Sequence, residues 1–259
     1  MSGDVDRAAT ELLDREAHAA ARGPITDEWS DLDLAAGYAV QDETLRRRLA
    51  RGEQLVGVKL GLTSRAKQRR MGIDAPLTAW LTDAMALPAG DPVPFGALIH
   101  PRAEPEIVFT MRERLAGPGV TAASALAAVG MVQAGVELID SRFAEFRFTL
   151  PDVVADNASS GRYVTGPAVL PPESLDLVME ACLVESNGQI VDSATGAAVL
   201  GHPAEALALA ANDLGRRGLA IEPGQVVLTG GMTDAVPVTA GGALAFHFTH
   251  LGSIHLYGS

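Results

Sequence analysis

The first fifty residues of the chain have the hydrophobic spacing of amphipathic helices. Apolar residues recur every three or four positions across residues 4–22, which predicts a helix that ends before Pro24. A second helix is predicted from about residue 30 to Gly52, because Ser30 or Asp31 can cap its start and arginines occupy its last turn, where positive charge is favourable. We therefore expect two consecutive helices before the first strand.

The hydrophobic period changes to two just after the second predicted helix. Val56, Val58 and Leu60 alternate with small or polar residues, which predicts a strand. Ser64 is then expected to cap a short basic helix that ends at Gly72.

The rest of the chain has the pattern of a β-rich body. From residue 80 onward, short apolar runs are separated by Pro and Gly, as is typical of short strands joined by tight turns. Two interruptions predict helices, one at about residues 121–133 and one from Pro203, a residue suited to a first helical position, to Gly218. We expect strands to make up most of the remaining structure.

Composition and charge exclude several classes of protein. The 259 residues carry 32 acidic and 20 basic side chains, a net charge of −12, which is the wrong sign for a protein that coats DNA or RNA. No apolar run approaches the roughly 20 residues needed to span a bilayer. The acidic N-terminus does not resemble a secretion signal, and the single cysteine, Cys182, fits a reducing compartment. We therefore expect a cytoplasmic protein that binds neither nucleic acid nor membranes.

Three glutamates stand out against apolar surroundings. On a strand over the segment HPRAEPEIVF, Glu104 and Glu106 share one face, and Glu137 is a lone carboxylate in the apolar run AGVELID. Solvent exposure of that strand face would explain the first two, but an isolated buried carboxylate is costly unless it is paired or bound to a metal. Three carboxylates without a neighbouring His or Cys favour a hard cation such as Mg²⁺ or Mn²⁺.

Lys59 is a further candidate functional residue, in addition to the three glutamates. It stands between Gly57 and Gly61, so a ligand could approach the strand where only the ammonium projects. Only two of the twenty basic residues are lysines, which suggests that this position needs a compact charge. The alternative is an ordinary lysine on a solvent-facing strand.

Two further segments are compatible with either structural or binding roles. The small polar residues of VVADNASSGRYVTG can form a turn or line a pocket. Val226 begins a buried strand that opens into the turn Thr229–Gly231, whose backbone N–H groups could hold a carboxylate. Its glycine spacing is neither that of a P-loop nor that of a dinucleotide fingerprint.

Together these motifs resemble the hydratase and decarboxylase branch of the fumarylacetoacetate-hydrolase-like superfamily, whose members act in aromatic meta-cleavage pathways. The likeness extends from about residue 35 to residue 256. The sequences of three segments resemble the decarboxylases more than the hydratases. These segments are GLTSRAK, IDSRF with FRF, and LTGGMTDAVPV. The motifs that carry the resemblance are, in chain order, VGVKLGLTSRAKQRRMG, HPRAEPEIVF, VELIDSRF, VVADNASSGRYVTG, LGHP and VVLTGGMTDAVPV.

The resemblance implies an α+β fold, a mixed β-roll with N-terminal and flanking helices. We expect an N-terminal helical region with the first strand over residues 1–75 and a β-rich catalytic domain over residues 76–259. The family typically forms homo-oligomers, and its decarboxylases can associate with a partner hydratase.

The resemblance also implies a set of site residues. It places Mg²⁺ or Mn²⁺ on Glu104, Glu106 and Glu137, with water or substrate in place of the fourth carboxylate that the broader superfamily often supplies. Lys59 matches the active-site lysine of the family, and Asp156 is a second candidate for proton delivery. The remaining residues expected to bind substrate are Leu60, Ser160, Thr229, Gly230 and Gly231.

The function expected from this resemblance is decarboxylation of the dicarboxylate 2-oxo-3-hexenedioate (4-oxalocrotonate) to 2-hydroxypenta-2,4-dienoate. Hydration of 2-hydroxypenta-2,4-dienoate is the alternative within the family. A non-catalytic partner subunit is an alternative of another class, although it does not explain why the set of three glutamates is intact. Acylpyruvate hydrolysis would need a base-activated water, and the sequence shows no acid–histidine pair to supply one.

Overall fold

A computed structural model describes residues 2–73 and 76–258 of the chain. The helices are α1 (Ser2–Ala17), α2 (Leu34–Ala50), α3 (Arg65–Met71), α4 (Ala122–Ala127), α5 (Leu150–Ala155) and α6 (Pro203–Arg216). The strands are β1 (Leu55–Gly61), β2 (Leu77–Thr82), β3 (Arg102–Met111), β4 (Val129–Ile139), β5 (Ser160–Thr165), β6 (Ala181–Ser186), β7 (Gln189–Thr195), β8 (Val226–Leu228), β9 (Val236–Pro237), β10 (Ala243–Phe248) and β11 (Gly252–Tyr257). Short 3-10 turns connect several of them.

The strands form two sheets. The larger has seven strands in the order β2-β1-β8-β3-β4-β5, with β9 pairing to β3 at one end. It is a mixed sheet, because β1 and β8 run parallel while its other pairs are antiparallel. The smaller sheet has four antiparallel strands in the order β11-β10-β6-β7.

The main hydrophobic core joins the two sheets and helix α6. Ile107 and Val136 of the larger sheet belong to the same buried cluster as Val184 and Phe246 of the smaller sheet, and Leu207 of α6 completes it. A second cluster packs helices α1 and α2 against Phe143, next to the end of β4. The predicted α+β class, with a curled β body and helices at its N-terminus and flanks, is confirmed.

Local expectations at the N-terminus are largely met. Helix α1 and helix α2 form, but α2 begins later than predicted, because the carboxylate of Asp33 accepts the N–H of Ala36 at 2.8 Å and so caps the helix. Ser30 and Asp31 are therefore not the capping residues. Helix α3 follows Ser64 directly, and Gly72 ends it with a left-handed φ of 69°.

The helix predicted at about residues 121–133 is only partly correct. Thr121 caps helix α4, which ends at Ala127, and the chain enters strand β4 at Val129. The β-branched residues Val129 and Val132 are fully buried in the core between the sheets, so tertiary packing overrides the helical spacing of the alanines. The helix predicted from Pro203 forms as α6.

The expected division of the chain falls between residues 75 and 76, next to residues 74 and 75, which lie outside the described residues. Strand β1, on one side of that division, pairs with β2 on the other. Within the described part of the chain, no helix combines the length and apolar character needed to cross a bilayer.

Candidate active site

The three glutamates singled out in the sequence meet on adjacent strands. Glu104 of β3 is the direct cross-strand partner of Glu137 of β4, and Glu106 lies two residues further along the same face of β3. One carboxylate oxygen of each lies within 4.8 Å of the others. The arrangement therefore concentrates negative charge at one point of the larger sheet.

Glu106 is the most deeply buried of the three. Its side chain is fully buried, and its Oε2 atom accepts a hydrogen bond of 2.6 Å from the backbone N–H of Gly230. Its Oε1 atom is also buried and has no hydrogen-bond partner among the described residues. An unpartnered carboxylate oxygen in the interior is costly, so this atom points to a missing ligand.

The turn after β8 is shaped to support Glu106. The hydroxyl of Thr229 donates to the Ile107 carbonyl at 2.7 Å, which fixes the turn to β3. Gly230 has a φ of 105°, and a Cβ there would lie only 1.9 Å from Oγ1 of Thr63. Only glycine fits this position, and its N–H is thereby aimed at Glu106.

Lys59 is the buried cation nearest to this cluster among the described residues. Its Nζ atom lies 2.7 Å from Oε1 of Glu137 and donates a hydrogen bond of 2.5 Å to the Ala158 carbonyl. The flanking glycines have different roles. A Cβ on Gly57 would lie 2.0 Å from the Val226 carbonyl, so that glycine allows β1 to approach β8, whereas Gly61 lines the cleft described below.

Electrostatics show that one lysine does not neutralise the cluster. Burial raises the pKa of the Glu106 carboxyl well above its usual value, and the neighbouring Glu137 and Glu104 carboxylates raise it further. Burial also raises the pKa of Glu137, although the Lys59 ammonium opposes this effect. Both buried carboxyls are therefore harder to ionise than exposed glutamates unless more positive charge is present.

These residues fit a divalent cation. They offer only oxygen donors, as Mg²⁺ and Mn²⁺ prefer, and the unpartnered Oε1 of Glu106 is a free ligand position. Among the described residues this is the only group of three carboxylate, imidazole or thiolate side chains close enough to hold an ion.

The cluster borders a cleft of about 230 Å³ through Glu104 and Glu137, whereas Glu106 is not among the residues that line it. Its polar lining residues are Lys59, Thr63, Ser64, Glu104, Glu137 and Ser159. Its apolar wall is formed by Leu60, Leu62, Leu77, Ile139, Phe146, Phe148, Val153 and Ala158, and backbone is contributed by Gly61 and Gly231. The cleft therefore combines a charged region with an extensive apolar surface, as small-molecule sites do.

Several of the residues expected to contact substrate lie behind this cleft. Lys59, Leu60 and Gly231 line it, but Thr229 and Gly230 direct their polar groups to Ile107 and Glu106. The hydroxyl of Ser160 donates to the Asn157 carbonyl at 2.8 Å, and Ser160 is not among the lining residues.

Asp156, expected to deliver protons, is also outside the cleft. Its carboxylate is fully buried and forms an ion pair with Arg142. Burial raises the pKa of Asp156 to about 6, and Arg142 opposes that rise. In this structure Asp156 contacts Arg142 and neighbouring serines, not the group of glutamates.

The aromatic wall was not identified from the sequence as part of the site. The ring of Phe146 contacts two side chains. His100 stacks on it at a centroid distance of 4.6 Å, and the guanidinium carbon of Arg102 lies 4.3 Å from the ring centre. Phe146 has a left-handed φ of 54°, which the local sequence does not indicate. In the sequence the FRF segment is only a family-like motif, since nothing in its spacing shows that it lines the cleft.

Comparison with known proteins identifies the class to which this fold and site belong. A family model for the C-terminal part of fumarylacetoacetate (FAA) hydrolase matches residues 54–256, and the chain belongs to this family. The family expected from the sequence is therefore confirmed.

More specific similarities lie within two groups of enzymes. The chain is 44% identical to 4-oxalocrotonate decarboxylase of Pseudomonas sp. (strain CF600), over 89% of this chain and 87% of that protein. It is 42% identical to 2-hydroxypent-2,4-dienoate hydratase of Pseudomonas putida, over 76% of this chain and 89% of that protein. A solved structure of 4-oxalocrotonate decarboxylase from Pseudomonas putida G7, complexed with magnesium and adipate, matches with a TM-score of 0.98 and 39% identity, covering 100% of this chain and 98% of that chain.

Proposed function

We propose that this protein decarboxylates 2-oxo-3-hexenedioate to 2-hydroxypenta-2,4-dienoate with a Mg²⁺ or Mn²⁺ ion held by Glu104, Glu106 and Glu137. The observation that carries the proposal is the buried, unpartnered Oε1 of Glu106 within a group of three carboxylates that borders the cleft. The similarity to 4-oxalocrotonate decarboxylases and the magnesium in the solved relative support the choice of reaction and metal.

The charged part of the cleft suits the 2-oxo acid end of the substrate. When bound, the divalent cation supplies positive charge that stabilises the negative charge developing on the 2-oxygen as the reaction proceeds. Lys59 contributes a second positive charge, held in place by Glu137 and Ala158, and donates an N–H to a substrate oxygen. The three negative charges of the glutamates balance the two positive charges of the cation together with the one of Lys59.

The apolar wall suits the other end of the substrate. The bond between C5 and C6 breaks, its electron pair moves through the C3–C4 double bond toward the 2-oxygen, and C6 leaves as CO₂ while the product takes up one proton. A carboxylate against Phe146, Phe148 and Val153 is poorly solvated, whereas CO₂ is neutral, so this environment favours the loss of the charge. No strong base is needed for this step, which agrees with the placement of Asp156 outside the cleft.

Hydration of 2-hydroxypenta-2,4-dienoate is the second candidate, favoured by the similarity to the hydratase of Pseudomonas putida. It would use the same metal-binding residues, and Lys59 is the described cleft residue able to deliver a proton. A non-catalytic partner subunit is disfavoured, because such a role gives no reason for three converging carboxylates at a cleft. Self-association into a homo-oligomer and association with a hydratase stay predictions.

The two reactions are separated by one pair of assays. The purified protein with Mg²⁺ is incubated with 2-oxo-3-hexenedioate and, separately, with 2-hydroxypenta-2,4-dienoate, and CO₂ release and proton NMR spectra are followed. We expect CO₂ release from the first substrate that stops when EDTA is added. Hydration of the second substrate without CO₂ release from the first would replace the decarboxylase with the hydratase, and inactivity on both would refute the proposed function.

A further inference from the structure

Three consecutive residues between α5 and β5 have a left-handed backbone. The φ angles of Asn157, Ala158 and Ser159 are 50°, 49° and 58°. A left-handed backbone is unfavourable for residues other than glycine. Three such residues in a row therefore keep this conformation only where surrounding contacts enforce it. This segment, which we call the left-handed turn, borders the cleft through Ala158 and Ser159.

The side chain of Asn157 holds one end of the left-handed turn. Its Oδ1 atom accepts the backbone N–H of Trp80 at 2.9 Å, and its Nδ2 atom donates to the Trp80 carbonyl at 2.9 Å. Both contacts are with strand β2, which pairs with β1, the strand that carries Lys59. Asn157 therefore ties the turn to the sheet that supports the site.

Arg142 contacts the two residues that flank the left-handed turn, Asp156 and Ser160. Its guanidinium donates to the carbonyl oxygen of Asp156 and, at 2.8 Å, to that of Ser160, while Nε pairs with the Asp156 carboxylate. The Arg142 and Asp156 side chains are nearly or fully buried. A buried ion pair with this many hydrogen bonds restricts the backbone on either side of the turn.

The left-handed turn places one carbonyl against the site. Ala158 O accepts the hydrogen bond of 2.5 Å from Lys59 Nζ, and the same ammonium lies 2.7 Å from Glu137. The position of the ammonium is therefore set jointly by a carboxylate of the cluster and by a carbonyl whose direction depends on the left-handed backbone.

We propose that the left-handed turn positions Lys59 for the reaction and that Asn157 fixes the turn in place against strand β2. Asn157 is a positioning residue, since it acts on the substrate only indirectly. It adjoins Ala158, and the Ala158 carbonyl accepts the hydrogen bond of Lys59. This inference rests on the proposed function for its kinetic consequence, but the geometry it claims can be tested without substrate.

The test compares two asparagines with the same backbone conformation. Asn187 has a φ of 49° in the β6–β7 hairpin, and its Oδ1 accepts the Ala243 N–H at 3.0 Å. Glycine adopts a left-handed φ without penalty, so Asn157→Gly and Asn187→Gly each remove a side-chain tether and leave the backbone free to keep its shape. Asn187 is not among the cleft residues and provides the matched control.

We expect Asn157→Gly to lower kcat about 10²-fold, the effect of misplacing a catalytic group by about 1 Å. KM should change less than about threefold, and the affinity for Mn²⁺, measured by electron paramagnetic resonance, should stay within about threefold, since the three glutamates are untouched. Asn187→Gly should match the wild type in all three. Equal kcat for wild type and Asn157→Gly, with wild-type activity present, would overturn the positioning role.

A spectroscopic measurement tests the geometry independently of activity. The chain contains only two lysines, so lysine-selective ¹³C labelling gives two Cε signals, and the Lys59→Met variant assigns one of them. The Lys59 signal should shift in Asn157→Gly and stay unchanged in Asn187→Gly. An unchanged Lys59 signal in Asn157→Gly overturns the inference even if the proposed function has failed.

If circular dichroism shows that Asn157→Gly does not fold, the same kinetic and spectroscopic measurements are made on Asn157→Asp. The aspartate keeps an acceptor for the Trp80 N–H and loses the donor to the Trp80 carbonyl. We then expect a smaller shift of the Lys59 signal and a loss of kcat of about tenfold. Identity with the wild type in both measurements would refute the role of Asn157.

Discussion

Glu106 in the larger sheet and Glu180 beside the smaller sheet are both buried, but their hydrogen bonds differ. Glu180 immediately precedes β6, and its Oε1 atom accepts the backbone N–H groups of His250 and Leu251 at 2.9 and 3.2 Å. Its Oε2 atom lies 2.7 Å from Nδ1 of His250. Both oxygens of Glu180 therefore have partners within the protein.

Glu106 has a donor for only one of its oxygens and two carboxylates as neighbours. A buried carboxylate whose oxygens are all satisfied closes a turn, as Glu180 does between β10 and β11. A buried carboxylate with an open oxygen and like charges beside it is stabilised either by a proton, as its raised pKa indicates, or by a cation from outside the chain. The difference distinguishes a structural glutamate from a proposed metal ligand by hydrogen bonding, since burial alone is the same for both.

The largest effect that tests this comparison is the loss of turnover in Glu106→Gln. The amide keeps an oxygen that can accept the Gly230 N–H but loses the charge that binds the cation. We expect kcat/KM for 2-oxo-3-hexenedioate to fall by about 10²- to 10³-fold, the scale of removing a key electrostatic group from an active site. Steady-state kinetics with saturating Mg²⁺ measures this. Activity within tenfold of the wild type would contradict the assignment of Glu106 as a ligand.

Stabilisation by the cation is the next largest effect. A ligand that binds only the folded state adds about 2.7 kcal/mol to the free energy of unfolding at 100 times its Kd. We expect Mn²⁺ to raise the unfolding free energy of the wild type by this amount and to leave Glu106→Gln unchanged. Urea unfolding with Mn²⁺ or with EDTA measures the difference. Equal stabilisation of both proteins would place the metal elsewhere.

Glu180→Gln is expected to affect stability without affecting turnover. The amide oxygen can still accept the backbone N–H groups of His250 and Leu251, but the negative charge that strengthens these hydrogen bonds is lost, at a cost of about 2 kcal/mol. Urea unfolding measures the cost, and kcat should stay within about twofold of the wild type. A large loss of kcat in a folded Glu180→Gln protein would show that the two glutamates are not functionally distinct.

The smallest effect, counted per pH unit, is the pH dependence of the stability of the metal-free protein. The pKa of Glu106 is raised in the folded state above its value of about 4.3 in an unfolded chain, so the folded protein binds more protons. Stability in EDTA should therefore fall as pH rises from about 4.3 through the raised pKa, with a slope of up to about 1.4 kcal/mol per pH unit. Glu106→Gln should lack this contribution. Identical unfolding profiles of the two metal-free proteins across pH 5 to 8 would contradict the direction of the shift.

Much of the fold follows from local patterns that tertiary structure did not override. The alternation around Val58 predicts β1, and the proline at position 203 marks the start of α6. The pattern failed where packing decided the outcome. Val129 and Val132 follow a helix-like run of alanines, yet they form a strand because they fill the core between the two sheets.

The candidate site also has residues that the sequence predicted and contacts that only the tertiary structure revealed. The isolated carboxylates and Lys59 could be recognised in the sequence, because charged residues in apolar runs are costly without a partner. The contacts of Asp156 and Thr229 could not, because both belong to motifs compatible with a binding loop. Only the structure shows that Asp156 pairs with Arg142 and that the Thr229 hydroxyl donates to the Ile107 carbonyl.

The sequence by itself determined which residues carry the charge of the site, the class of the fold and the family. The tertiary structure alone decided which oxygen of Glu106 is left open, which face of the turn reaches Lys59, and which aromatic rings cover the cleft. The physical reason is that charge and hydrophobicity are properties of single residues and short periods. Register across strands and the completion of hydrogen bonds depend on segments that lie far apart in the chain, as Glu106 and Gly230 do.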